Sequence, residues 1–129
     1  MAEGSAMTVT LITLLKRRSG MSKADFIAYY ETRHRRIGEE VLSGYASRYV
    51  RRFLHPVDGT DQDHDFDVVL EIDFPDQATM DACFAAMQPP EIMDRIIADE
   101  ERFFDRSRNR AFTVEEHAST LPDPRAVSR

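Results

Sequence analysis

The stretch from Phe66 to Phe74, FDVVLEIDF, places Phe66, Val68, Leu70, Ile72 and Phe74 at every second position. Apolar residues in strict alternation predict a β-strand with one fully buried face. The other face carries Asp67, Val69, Glu71 and Asp73, polar at its ends and half apolar at its centre. Two further segments read as strands that are apolar on both sides. In VTLITLL (Val9 to Leu15), Val9, Leu11 and Leu15 alternate with Ile12 and Leu14. In YASRYVRRFLH (Tyr45 to His55), Tyr45, Tyr49 and Phe53 oppose Ala46, Val50 and Leu54. A sheet made of such strands must be covered on both faces.

The helical signals fix the order of elements. Ser22 is placed as an N-cap with Asp25 three residues on, a capping-box-like pair in a positively polarised first turn. Phe26, Ile27, Tyr30, Ile37 and Val41 then share one helical arc of roughly 100°. This helix is predicted to run to about Leu42, bent near Gly38 and stopped before Ser43-Gly44. After the polar loop Pro56–Asp65, Asp76 caps a helix through Met87. Pro89-Pro90 interrupts it and opens another from Glu91 to Asp105, with Ile92, Ile96, Phe103 and Phe104 on its buried side. Ala111 to His117 reads as the last strand. The order β-α-β-β-α-β predicts an α+β, ferredoxin-like fold: a four-stranded antiparallel sheet with helices on one face. Those helices cover only one side, so the second apolar face calls for another copy of the chain, giving a homodimer.

A length of 129 residues suits one domain, expected over residues 8–117, and is too short for two. Residues 1–7 read as a loose arm or vector-derived remnant ahead of Met7, without the charged and apolar regions of a signal peptide. Residues 118–129, with Pro122 and Pro124, read as a mobile tail. The formal net charge of −6 opposes binding to a phosphate backbone, so no nucleic-acid partner is expected. No apolar run approaches the roughly 20 residues that span a bilayer, so neither is a membrane. The lone cysteine, Cys83, lies in an apolar helical pattern and reads as a buried thiol. A cytoplasmic location is expected.

Several residues carry possible chemistry. His34 falls within the apolar arc of the first helix, so its ring should point toward sheet or cleft. An imidazole, with an ordinary pKa of about 6.5, is a natural proton shuttle, but it also serves to stabilise a helix end. Asp67 and Glu71 share a strand face and either orient His34 or pair with Arg48, Arg51 or Arg52. Tyr49, beside Tyr45 and Phe53, either lines an aromatic pocket and donates to a developing enolate or packs in the core. Tyr30, Arg51, Phe53 and Phe104 are expected substrate contacts with Glu71, whereas Asp99-Glu100 reads as a cap or ion-pair site in preference to a catalytic pair. His55, His64 and His117 lack metal-ligand spacing, and there is no GxGxxG, P-loop or GxSxG sequence. Neither a metal nor a cofactor is expected.

Three segments carry a family likeness. LITLLKRRSGMSKADFIAYYETRH resembles the opening of EthD-domain proteins: strand, basic turn, Ser-capped aromatic helix and closing histidine. FDVVLEIDF resembles the family's third strand, and ADEERFFDRSRNRAFTVEEH its carboxy-terminal helix and last strand. The resemblance spans Val9 to His117. It implies a dimeric α/β barrel with a cleft between sheet and helices in each subunit. Related barrels include polyketide cyclases, fungal anthraquinone-pathway decarboxylases and oxygenases, haem-handling proteins, and muconolactone isomerases, in which a histidine near this helix end is the proposed acid/base. The expected activity is therefore a cofactor-independent lyase or isomerase acting on a small aromatic or polyketide-like carbonyl compound. In that reading His34 is the general acid/base, with Tyr49 and Asp67 assisting. The alternatives are a cofactor-free monooxygenase on a phenolic substrate and a non-catalytic binding protein of an oxidation system. Fold alone does not choose between them.

Overall fold

The computed structural model describes residues 7–60 and 62–126. Most of the expected arm, residues 1–6, and the end of the expected tail, residues 127–129, lie outside the described residues. Four strands, β1 (Val9–Leu15), β2 (Arg48–Phe53), β3 (Val68–Phe74) and β4 (Arg110–Thr113), form one antiparallel sheet in the order β2-β3-β1-β4. The helices are α1 (Lys23–Tyr29), α2 (Arg35–Leu42), α3 (Gln77–Ala86) and α4 (Pro90–Glu100). This is the ferredoxin-like α+β arrangement.

Local chemistry sets the element starts. Ser22 Oγ accepts from the backbone N–H of Asp25 at 3.0 Å, and an Asp76 carboxylate oxygen accepts from the N–H of Thr79 at 2.7 Å. Pro90 opens α4 at the position where a missing N–H costs nothing.

The first helix departs from the continuous rod expected between Ser22 and Leu42. Tyr30–His34 is a π-helical segment between α1 and α2, in which the N–H of Arg35 donates to the carbonyl of Tyr30 five residues back. The interruption is four residues ahead of the bend expected at Gly38. Strand ends also differ. Tyr45 to Ser47 precede β2, tied to the sheet by Ser47 N–H donating to Asp73 O at 2.7 Å. The last strand ends at Thr113, and Val114 to Asp123 continue exposed without helix or strand. Helix α4 stops at Glu100, so Phe103 and Phe104 reach the core from the turn beyond it.

Register decides which side chains meet. Leu11, Tyr49 and Ile72 align across the sheet, as do Leu15, Phe53 and Val68, and both rows face the helices. One buried cluster gathers Leu15, Phe26, Tyr30, Val68, Phe103 and Phe104; another gathers Leu42, Ile72, Phe74, Met80 and Cys83. The opposite sheet face carries Ile12, Leu14, Val50, Val69 and Phe112, the last 49% exposed, with no helix among the described residues packed over it.

Candidate functional site

Between the two clusters, the helices and sheet enclose a cleft of about 200 Å³ with mainly apolar walls. The π segment supplies two of its lining residues, Tyr30 and His34. Four residues apart and so on one helical face, they have ring centroids 5.4 Å apart and nearly perpendicular planes. His34 is 7% exposed and packs against Phe103 and Phe104, at centroid distances of 5.0 and 5.7 Å.

The outer nitrogen of His34 is anchored. Nδ1 lies 2.8 Å from Asp99 Oδ2, and Tyr29 Oη donates to Asp99 Oδ1 at 2.5 Å. A carboxylate oxygen can only accept, so Nδ1 donates to it, and in the neutral imidazole Nε2 is the acceptor. Among the described residues, no hydrogen bond engages Nε2. Tyr29 is held protonated above the ordinary tyrosine value, first by burial and then by its bond to Asp99.

Tyr49 reaches the cleft from β2, its hydroxyl 3.4 Å from that of Tyr30. Burial pushes the Tyr30 phenol well above the ordinary value and Tyr49 above it, so both stay protonated and able to donate. Gly38 makes room for this approach: a Cβ there would land on the Tyr49 phenol, inside contact distance.

The other expected site residues are distributed differently. Phe104 lines the cleft, while Phe53 packs in the aromatic cluster beside Phe26 and Tyr30. Arg51 is committed elsewhere, donating through Nε and Nη2 to the Glu31 carboxylate at 2.6 and 3.0 Å while lying over the Tyr49 ring. Glu71 is on the opposite sheet face, accepting from Arg52 at 2.9 Å and Arg48 at 3.3 Å, so it forms the ion pairs that were the alternative to a cleft role. Asp67 is also outside the cleft. It is 4% exposed beneath the β1–α1 turn, where Oδ2 accepts from the backbone N–H of Arg17 at 2.8 Å, and Lys16 Nζ stands 3.6 Å away. The carboxylate that meets His34 is Asp99, for which the sequence favoured cap or ion-pair duty over catalysis. Its adjacency to Glu100 in a segment of family likeness was the available signal. No helix among the described residues is long and apolar enough to cross a membrane. No group of three His, Cys, Asp or Glu side chains among them is placed to hold a metal ion.

Residues 18–107 match the model of the EthD domain. The chain belongs to the EthD family. Solved structures agree on the fold. An EthD-family protein from Bacillus halodurans is 18% identical, with TM-score 0.60, covering 86% of this chain and 100% of its own. SnoaB, a cofactor-independent oxygenase from Streptomyces nogalater, is 13% identical with TM-score 0.55, covering 92% and 100%. A dimeric protein of ferredoxin-like fold from Bacteroides fragilis is 10% identical with TM-score 0.52, covering 84% and 96%. No curated protein matches the chain. At these identities the likeness establishes an EthD fold and leaves the chemistry to the cleft.

Proposed function

We propose that this EthD protein catalyses proton transfer on a small aromatic or polyketide-like carbonyl compound, as a lyase or isomerase, with His34 as general acid/base. The observation that carries this reading is the anchored imidazole, held through Nδ1 by Asp99 and lining an aromatic, largely apolar cleft. Nε2 takes a proton from the carbon beside the carbonyl, leaving an enolate and an imidazolium paired with Asp99. The proton returns at a second carbon in an isomerisation; in a lyase the enolate instead carries the bond cleavage or closure. In this scheme Tyr30 and Tyr49, whose hydroxyls lie 3.4 Å apart, donate to the developing enolate oxygen.

A second reading is favoured by the likeness to SnoaB, a cofactor-independent oxygenase. There the same base would convert a phenol to the phenolate that reacts with dioxygen. Asp67, expected to assist His34, has no part in either scheme, because it sits under the β1–α1 turn.

Incubating the protein in deuterium oxide with a panel of aromatic β-dicarbonyl compounds, and following C–H exchange by NMR, tests the first reading. Exchange should be accelerated by the wild type and lost in His34→Gln. Exchange at the wild-type rate in that variant, or none with any panel member, would sink it, while oxygen uptake on phenolic compounds would favour the second. We further propose that two copies associate through the uncovered sheet face, a reading supported by its apolar residues.

A further inference from the structure

The polar side chains that line the cleft are Thr13, Tyr30, His34, Tyr49 and Glu100; none of the lining residues is lysine or arginine. Glu100 follows Asp99 at the end of α4, so consecutive carboxylates serve different purposes. Asp99 holds the outer edge of His34, and Glu100 lines the cleft itself. Its Oε1 accepts from Arg106 Nε at 3.0 Å, and Arg106 is outside the lining. Among the described residues Oε2 has no hydrogen-bond partner. Arg51, on the same face of β2 as Tyr49, is already held by both oxygens of Glu31.

We infer that Glu100 sets the charge class of the ligand: the cleft takes a neutral aromatic bearing a hydroxyl or enol O–H, and rejects the corresponding carboxylate. A hydroxyl donor supplies the partner that Oε2 lacks, in a charge-assisted hydrogen bond. An anionic ligand loses its hydration on entering apolar walls, finds no lysine or arginine among the lining residues, and faces the Glu100 carboxylate. An Nε2 acceptor likewise suits a hydroxyl donor, whereas the two tyrosine hydroxyls can donate to either form. The inference rests on the cleft being the ligand site of the proton-transfer reading, but not on His34 moving a proton.

Titrating the full chain with 2-naphthol and with 2-naphthoate at neutral pH, by calorimetry and NMR, tests it. The naphthol should bind saturably and the naphthoate roughly tenfold more weakly or worse. Glu100→Gln should bring the two close together, and Arg106→Gln, which frees the carboxylate of its cation, should widen the gap. Equal or tighter naphthoate binding, a preference unmoved by both variants, or binding of neither probe would overturn it. Lost exchange chemistry with this preference intact defeats the proton-transfer reading alone; exchange chemistry without the preference defeats this inference alone.

Discussion

His34 depends on two residues that never enter the cleft. Tyr29 donates to one oxygen of Asp99, and the other oxygen holds Nδ1 of His34, so a chain of two hydrogen bonds fixes the ring's tautomer and direction. Asp99→Asn leaves the shape but removes the acceptor-only partner. We expect the deuterium-exchange rate to fall roughly 10²-fold or more, with the His34 ring nitrogens changing tautomer in ¹⁵N NMR spectra. Tyr29→Phe should cost less, within about tenfold, because Asp99 remains. A purely structural role for Asp99 would move stability and leave the tautomer unchanged. The cleft phenols give a second residue-scale test. Burial raises Tyr30 and Tyr49 above the ordinary value of 10.0. Above that value the unfolded chain sheds protons that the folded chain keeps, so their contribution is fully present below about pH 10 and declines as pH rises further. Denaturant titrations across alkaline pH should show that decline, and Tyr30→Phe should flatten it.

At the scale of elements, the helix caps, the Pro-opened helix and the alternation of β3 were legible because each is a local rule written in adjacent residues. Ser22, Asp76 and Pro90 start helices where their chemistry requires. The π turn was not legible: an inserted residue in a helix leaves the apolar arc nearly intact, since Phe26, Tyr30 and Ile37 remain on one broad face either way. Nor was the Asp99 partnership, which joins residues 65 positions apart and exists only when α4 lies across the end of α1. Asp67 misled for the related reason that its strand face ends at the β1–α1 turn, where the Arg17 N–H and Lys16 sequester it. Gly38 reads from sequence as a bend, yet its use is to admit the Tyr49 ring against α2. Gly38→Ala gains roughly 1 kcal/mol of helix propensity, but its methyl must displace Tyr49. We expect circular dichroism to stay helical while 2-naphthol affinity drops several-fold, with the Tyr49 ring resonances shifted. Unchanged affinity would mean that the phenol is not part of the ligand surface.

For the whole molecule, the decisive asymmetry is between the two faces of the sheet. One is closed by four helices; the other presents Ile12, Leu14, Val50, Val69 and the half-exposed Phe112. The same face carries Glu71 paired with Arg48 and Arg52, so apolar contact is framed by charges of both signs that a second copy could meet in reverse order. A symmetric dimer built on this face would remove the apolar surface from water without touching the cleft, which opens on the helical side. Its central position is Val69, flanked in register by Leu14 and Arg52. Val69→Lys sets a second cation beside Arg52 where the copies would meet. Light scattering should then report the dimer mass for the wild type and the monomer mass for the variant. The wild-type Tm should rise with protein concentration and the variant's should not, because only association couples folding to mass action. The variant should still bind 2-naphthol, since the cleft is complete within one chain. A wild type that is monomeric at every accessible concentration would leave the apolar face without its partner and end the dimer reading.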